Sequence, residues 1–228
     1  FQDIARHIKF FTKEGDKVLD PFLGIGSTLK SCAIESRVGY GIELSKKYVE
    51  LSELRIKQEV PESFKYKKNQ TIIQGDSTKR IEKFDDDFFD FLITSPPYWN
   101  ILETRDHKAS AREIENLDTK YSEDKADLGN IDDYDQFIEV LGSFFSKCAR
   151  IVKTQKYMAI IVSDFRKREN YYIFHADLAN YIENNSAFKL KGIKILYQRH
   201  KSIFPYGYPY SFVPNVHHQN VLIFQNKK

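Results

Sequence analysis

The stretch KVLDPFLGIGST (residues 17–28) predicts a buried strand that turns sharply into a helix. Asp20 closes the strand, and Gly24 and Gly26 permit a tight turn and the close approach of backbone to a ligand. The dinucleotide-binding pattern needs a third glycine, but Leu29 stands in its place. Because a glycine-lined pyrophosphate site is missing, the junction favours a neutral or zwitterionic nucleoside ligand over NAD.

Segments with strand character alternate along the chain with segments of helical periodicity. The predicted strands are 17–22, 38–44, 71–76, 89–95, 157–164, 190–198 and 220–225. The predicted helices are 2–12, 28–36, 45–58, 133–152 and 173–185, with Ser27 or Thr28 as the cap of the second. This order predicts an α/β fold with a mostly parallel seven-stranded sheet, helices on both faces and an antiparallel last strand.

Length and composition favour one domain over residues 1–228. A chain of 228 residues, 41% of them hydrophobic, is long enough for one sizeable α/β domain. The stretch at about 102–133 is charged and weakly periodic, which is typical of a surface excursion. A net charge of +3 permits nucleic-acid binding through a local patch without requiring it.

Other kinds of site and location are disfavoured. Cys32 and Cys148 are isolated, so we predict neither a disulfide framework nor a zinc site. His217 and His218 have no further ligand at suitable spacing, so we predict no metal site. No signal peptide or membrane-spanning apolar stretch is evident, so we expect a cytoplasmic protein. The chain begins at Phe1 rather than methionine, which is consistent with a fragment or a trimmed product.

Acidic residues follow each of the first three predicted strands. In parallel sheets, ligands bind beyond the carboxyl ends of the strands. Glu43 lies where a carboxylate accepts hydrogen bonds from ribose hydroxyls, and Asp76 can accept one from an exocyclic amine. Each acid alone is more often a solvated loop carboxylate. Their recurrence at three successive strand ends, with Asp20 at the first, predicts a nucleoside pocket.

Several motifs together point to one known family. They are DPFLGIGST (20–28), GIELSKKYVEL (41–51), QGDS (74–77), TSPPYW (94–99) and the closing HHQNVLIFQ (217–225). This set resembles the S-adenosylmethionine-dependent DNA amino-methyltransferases, which methylate cytosine N4 or adenine N6. The resemblance implies a Rossmann-like methyltransferase fold and S-adenosylmethionine as cofactor. In many members the catalytic motif precedes the cofactor motif, whereas here the cofactor motif comes first.

The resemblance also implies which residues hold the cofactor. Those implied to surround its methionine moiety are Asp20, Phe22, Gly24 and Gly26. Glu43 is implied to hold the ribose, and Asp76 the adenine. Neighbouring residues included in the predicted cofactor site are Pro21, Ser27, Thr28, Leu44 and Ser77.

The same resemblance assigns catalysis to SPPY, residues 95–98. An exocyclic amine is a poor nucleophile because its lone pair is conjugated into the ring of the base. The Ser95 side chain and the Pro96 carbonyl, fixed by the ring of Pro97, can accept the amine's protons and favour a pyramidal nitrogen. Tyr98 can stack on a base flipped out of a duplex. A purely structural proline turn is the alternative.

By the same resemblance, serine at the head of this motif favours cytosine N4 as the target. The alternatives are, in order, an N6-adenine DNA methyltransferase, an RNA amino-methyltransferase, and a non-catalytic methyltransferase-like subunit that binds nucleic acid. We expect double-stranded DNA to be the partner, with base flipping. Little of the chain is left for reading a sequence, so we expect recognition from a partner chain or a missing segment rather than from residues 102–133.

Basic and aromatic residues near the later strand ends are candidates for nucleic-acid contact. They are Trp99, Arg166, Lys167, Arg168, Arg199, Lys201 and Tyr206. Basic residues interleaved with aromatic ones suit phosphate contact combined with base stacking. Charge runs usually face solvent, however, and aromatic-rich loops are more often part of a local core.

Overall fold

The computed structural model describes residues 2–99, 128–167, 169–198, 201, 205–206 and 213–228. The helices in these ranges are α1 Gln2–Phe11, α2 Ser27–Ile34, α3 Lys46–Glu59, α4 Ser77–Arg80, α5 Tyr134–Lys147 and α6 Phe174–Asn185. Short 3-10 turns occupy Lys67–Asn69, Ile81–Lys83 and Leu128–Asn130. None of the helices in the described ranges is both long enough and apolar enough to cross a membrane.

Eleven strands lie within the same ranges. They are β1 Lys17–Asp20, β2 Val38–Glu43, β3 Gln70–Gln74, β4 Phe89–Thr94, β5 Val152–Val162, β6 Phe165–Lys167, β7 Asn170–Tyr172, β8 Phe188–Tyr197, β9 Pro205–Tyr206, β10 Val213–Pro214 and β11 His218–Asn226. Seven of them form one sheet in the order β3-β2-β1-β4-β5-β11-β8. The pairs β6–β7 and β9–β10 are separate antiparallel hairpins, which the sequence did not predict.

The main sheet confirms the predicted fold class. Its first five strands pair in parallel, and β11 runs antiparallel to both β5 and β8. In β1, Leu19 pairs with Tyr40 of β2 on one side and with Leu92 of β4 on the other. Strand order therefore reverses at β1, and ligands of open α/β sheets bind beside such a reversal.

The largest boundary error concerns the start of β5. The sequence predicted a helix to residue 152 and a strand from 157, whereas α5 ends at Lys147 and β5 begins at Val152. Gln155 has a positive φ of 64°, and the pairing of β4 with β5 shifts register in this region. Polar residues dominate the first part of β5, so the apolar pattern on which strand prediction relies is absent there.

The core lies on both faces of the sheet. One face packs against α5 and α6 through a cluster that includes Leu92, Phe137, Phe145, Ile160, Phe174 and Leu222. The other face carries a smaller cluster that includes Ile8, Val18, Phe91, Ile161 and Val221. Every residue of β4 is buried, as expected for a strand covered on both faces.

A buried amide fastens the end of the chain to the turn before β5. The Nδ2 atom of Asn226 donates to the carbonyls of Ala149, at 2.8 Å, and Val152, at 2.7 Å. We expect Asn226→Ala to lower the free energy of unfolding by about 2–4 kcal/mol, since two buried carbonyls lose their donor. Urea unfolding measures the change.

The neighbouring Gln225 provides a matched control. Its side chain donates to Gln155 in an exposed setting. Gln225→Ala should therefore change the unfolding free energy by less than about 0.5 kcal/mol. Equal losses in the two variants would contradict the structural role of Asn226.

Candidate functional site

A buried carboxylate joins two loops at the reversal of strand order. We call residues 20–26 the glycine loop and residues 95–99 the proline loop. Asp20 is only 4% exposed, and its Oδ1 accepts from the hydroxyl of Thr94 at 2.6 Å and from the Phe22 amide at 3.1 Å. Its Oδ2 accepts from the Thr28 hydroxyl at 2.5 Å. Burial raises the pKa of Asp20, and the hydrogen bonds from the two threonines oppose that rise.

The helix that follows the glycine loop does not begin as the sequence predicted. The N-cap of α2 is Gly26, which adopts a left-handed conformation with φ of 82°, and no side chain caps the helix. The prediction that Ser27 or Thr28 is the cap was wrong, because the hydroxyl of Thr28 donates to Asp20 instead. A Cβ on Gly26 would lie 3.0 Å from that of Ser52, so glycine is required for space as well as for conformation.

Helix α3 clamps the glycine loop from outside. The Ser52 hydroxyl donates to the carbonyl of Gly24 at 2.8 Å, and the Arg55 guanidinium donates to that of Ile25 at 2.7 Å. Glu59 holds Arg55 through an ion pair of 2.9 Å. Sequence reasoning missed this clamp. Its signal is the three-residue spacing of Ser52 and Arg55, which places both on one face of the helix.

Glu43 binds the same loop from the end of β2. Its Oε2 accepts from the Gly24 amide and its Oε1 from the Ser45 amide, both at 2.8 Å. Burial raises the pKa of Glu43, and these amide hydrogen bonds oppose the rise. Each carboxylate oxygen has a second lone pair, so Glu43 can also accept from ligand hydroxyls. Leu44, which follows it, is half-buried.

The end of β3 meets the glycine loop as well. The hydroxyl of Ser77 donates to the carbonyl of Pro21. Asp76 caps α4 by accepting from the amide of Thr78 at 2.9 Å, and its other oxygen lies 3.5 Å from the ammonium of Lys79. The first three strand ends are therefore brought to one edge of the sheet. Phe22 leaves that edge and packs on α5, with its ring centroid 5.0 Å from that of Phe144.

The proline loop starts directly after Thr94, whose hydroxyl contacts Asp20. Ser95 is exposed, Pro96 is buried, and Pro97 and Tyr98 are half-buried. The Tyr98 hydroxyl accepts from Gln219 at 3.3 Å and is hydrogen-bonded to the Ser95 side chain. Burial raises the pKa of Tyr98. The loop thus exposes Ser95 one residue beyond the hydrogen bond that Thr94 makes to Asp20.

Trp99 does not lie on the surface as predicted for a nucleic-acid contact. Its side chain is 5% exposed, and its ring contacts those of Tyr172 and Tyr134 at 5.2 and 5.3 Å. That prediction was wrong because the β6–β7 hairpin covers the tryptophan. The sequence analysis did not predict this hairpin, because its two strands of three residues each are too short to show alternation.

The remaining candidates for nucleic-acid contact are described only in part. Arg166 and Lys167 lie in β6 and are half-buried, as is Lys201. Tyr206 belongs to β9, but its side chain is outside the described part of the structure. Arg168 and Arg199 lie outside the described residues, as do residues 102–127 of the predicted excursion.

An acid–histidine pair beside the proline loop was not foreseen. Asp164, just after β5, accepts from Nδ1 of His175 at 2.7 Å. Its charge also acts on Tyr98, where it favours the protonated phenol. A carboxylate after a strand and a histidine at the next helix start are the sequence signals. Across the ranges that the structure covers, no group of three or more histidine, cysteine or acidic side chains could hold a metal ion.

Residues 2–54, which contain the glycine loop and Glu43, match the model of the N6/N4 family described as DNA methylase. This match covers less than a quarter of the chain, and over that segment the chain is similar to the DNA amino-methyltransferases. S-adenosylmethionine is the cofactor of this family.

Curated relatives match short parts of the chain. The orphan methyltransferase M.BamHII of Bacillus amyloliquefaciens is 43% identical over 51 residues, which are 22% of this chain and 19% of that protein. The type II methyltransferase M.BglI of Bacillus subtilis is 49% identical over 47 residues, 21% of this chain and 14% of that protein. The tRNA (guanine(10)-N2)-dimethyltransferase of Pyrococcus abyssi is 30% identical over 95 residues, 42% of this chain and 27% of that protein. The matches span 14–27% of these relatives' length.

Solved structures agree on the fold over nearly the whole chain. A SAM-dependent methyltransferase of Methanosarcina mazei has a TM-score of 0.59 at 12% identity and covers 97% of each chain. TYW2 of M. jannaschii, solved in complex with AdoMet, has a TM-score of 0.51 at 17% identity and covers 100% of this chain and 76% of that one. These likenesses establish the Rossmann-like methyltransferase fold.

Replacing Thr94 tests the bond between the two loops. Thr94→Val keeps the side-chain shape but removes a donor to the charged form of Asp20. The folded chain already holds the Asp20 proton to higher pH than the unfolded chain, so this group's contribution to stability falls as pH rises above its unfolded pKa. The substitution raises the folded pKa further. We therefore expect a loss of about 1–3 kcal/mol of unfolding free energy at about pH 8 and a smaller loss at about pH 4.

A second variant, Thr94→Ser, keeps the hydroxyl and should follow the pH dependence of the wild type. Denaturant unfolding of the wild type, Thr94→Val and Thr94→Ser at the two pH values measures the effect. A loss in Thr94→Val that is the same at both pH values would show that Thr94 does not stabilise the charged form of Asp20.

Proposed function

We propose that this chain transfers a methyl group from S-adenosylmethionine to the exocyclic amine of a base in DNA. One observation supports the proposal: the Thr94 hydroxyl donates to Asp20 at 2.6 Å, which joins the start of the proline loop to the start of the glycine loop. In this proposal, a methyl donor bound to the glycine loop lies next to Ser95, which can accept a hydrogen bond from the amine of the base. Holding both reactants in such geometry is a large part of catalysis for a reaction that needs no covalent enzyme intermediate.

The cofactor lies across the ends of β1, β2 and β3 in this proposal. The glycine loop lies against its methionine end, and Glu43 accepts from the ribose hydroxyls through lone pairs left free by the Gly24 and Ser45 amides. Asp76 caps α4 and accepts from the adenine amine with its remaining capacity. The contacts of Asp20 within the chain assign it to holding the loop in shape around the methionine moiety.

The proline loop orients the amine. Its protons donate to the Ser95 hydroxyl oxygen and to the Pro96 carbonyl, so the nitrogen becomes pyramidal and its lone pair points at the methyl carbon. The new N–C bond forms as the S–C bond breaks, S-adenosylhomocysteine leaves, and the nitrogen releases one proton. Tyr98 supports Ser95 through the hydrogen bond between their hydroxyls and offers a ring to the base.

Cytosine N4 in double-stranded DNA is the favoured target, and the base is flipped out of the duplex to reach the loop. Adenine N6 is the next choice, since it also presents an amine beside a ring nitrogen. Sequence recognition is assigned to a partner chain or a further segment, and the site of action to the cytoplasm. A non-catalytic subunit is disfavoured by the exposed Ser95 beside an ordered glycine loop.

An RNA amine is the candidate substrate that follows the two DNA bases. The Pyrococcus abyssi relative, 30% identical over 95 residues, is a tRNA guanine-N2 dimethyltransferase. Guanine N2 is an exocyclic amine, so the proline loop could orient it in the same way.

Incubation with labelled S-adenosylmethionine and either duplex DNA or tRNA separates these candidates. We expect N4-methylcytosine in digested DNA by mass spectrometry. N6-methyladenine in DNA would identify adenine as the target base. Label found only in tRNA would identify RNA as the substrate. No label in either nucleic acid, with cofactor bound, would contradict the proposed function.

Two variants should separate catalysis from cofactor binding. Ser95→Ala removes an acceptor for the amine, so methyl transfer should fall about 10–100-fold while cofactor affinity measured by calorimetry stays unchanged. Glu43→Gln should instead raise the Kd for S-adenosylmethionine at least about fivefold, because an amide accepts fewer hydrogen bonds than a carboxylate. Loss of cofactor binding in Ser95→Ala would assign the proline loop a structural role only.

A further inference from the structure

The β6–β7 hairpin, residues 165–172, stands at the edge of the sheet where the proline loop lies. β6 begins three residues after the end of β5, and its ladder pairs Phe165 with Tyr172. Those two rings stack at 5.3 Å with an interplanar angle of 24°, and Trp99 packs against both. Trp99, the last residue of the proline loop, therefore lies beneath the hairpin and packs against it.

The hairpin carries two cations, Arg166 and Lys167, for which the described part of the chain offers no carboxylate partner. The ammonium of Lys167 lies 3.6 Å from the ring centroid of Trp99, and the guanidinium of Arg166 lies 4.9 Å from that of Tyr171. Neither forms an ion pair with a residue that the structure describes. The acid just before the hairpin, Asp164, accepts from His175 and from the Tyr171 hydroxyl.

One buried polar atom of the hairpin, Nε of Arg166, has no hydrogen-bond partner among the described residues. A buried guanidinium nitrogen left in this state is costly unless an anion is supplied. Aromatic faces hold a cation weakly through their quadrupole, so a full negative charge displaces such a contact.

We propose that this hairpin binds the phosphodiester backbone of the nucleic-acid substrate, and that Lys167 leaves the face of Trp99 to contact a phosphate. The proposal rests on the proposed function and names the surface that holds the substrate. A phosphate fits the chemistry because it offers oxygens to both Arg166 and Lys167. Trp99 itself stays under the hairpin and links it to the proline loop, rather than touching the substrate.

The chain contains one tryptophan, so fluorescence excited at wavelengths that tyrosine does not absorb reports on Trp99 alone. Titration of the whole chain with oligonucleotides, without cofactor, should give a saturable change in tryptophan fluorescence. Separate titrations use a DNA duplex, single-stranded DNA and tRNA, which all have a phosphodiester backbone but are different kinds of nucleic acid. The fluorescence change should accompany whichever arm binds, and affinity should fall as salt rises.

Lys167→Ala should weaken binding about 3–10-fold and reduce the slope of log affinity against log salt by about 0.7–0.9, the value of one phosphate contact. Lys167→Arg keeps the charge and should retain most of the affinity. Lys194→Ala is the matched control, because Lys194 also lies over an aromatic ring, that of Phe10 at 5.1 Å, but on the edge strand β8. It loses the same charge and should leave affinity and slope unchanged. Thermal unfolding checks that each variant is folded.

Each outcome decides the proposal. Equal weakening by Lys167→Ala and Lys194→Ala, or binding with no change in tryptophan fluorescence, would overturn it. If nucleic acid binds through Lys167 but no methylated product forms, the proposed function is wrong and this inference stands. If methylated product forms and folded Lys167→Ala binds nucleic acid with wild-type affinity, this inference is wrong and the proposed function stands.

Discussion

The buried carboxylate of Asp20 is the constraint on which the rest of the site depends. It receives hydrogen bonds from the loop after β1, from α2 and from β4, and the donor in β4 is 74 residues away in sequence. Burial disfavours its charge, and donors on both oxygens offset that cost. The glycine loop and the proline loop cannot separate without exposing or abandoning this group. Their mutual position is consequently set by the fold rather than by a ligand.

A second layer of contacts fixes the glycine loop from the side away from the core. Ser52 and Arg55 bind successive carbonyls of the loop, while Glu43 binds the amide of Gly24. The loop backbone is thus held at its amide and its carbonyls before any ligand arrives. Such preorganisation lowers the entropy that binding would otherwise lose. The contact between the loop and α3 also leaves little room for a side chain at Gly26, because a Cβ there would lie 3.0 Å from that of Ser52.

Sequence reasoning succeeded where buried apolar runs and hydrophobic periodicity indicate the same element. The seven main strands and five helices were predicted because buried apolar runs and helical spacing are local signals, and the antiparallel pair followed from the missing helix between β8 and β11. It failed where a tertiary contact redirected a residue. Thr28 has the chemistry of a cap but serves Asp20, and Trp99 has the chemistry of a stacking residue but is covered by a hairpin. Asp20 meets Thr28 only because the chain turns between them, and the rings around Trp99 lie much farther along the chain, so neither contact follows from helical or strand periodicity.

The central claim is that methyl donor and amine acceptor meet where strand order reverses, at the Asp20–Thr94 bond. A crystal structure of the chain with S-adenosylhomocysteine tests it most directly. The account predicts ribose hydroxyls on the Glu43 carboxylate and the sulfur over the glycine loop, with the Ser95 hydroxyl facing the side from which the methyl group departs. A product molecule bound elsewhere, with the glycine loop empty and Ser95 turned away from it, would contradict the account.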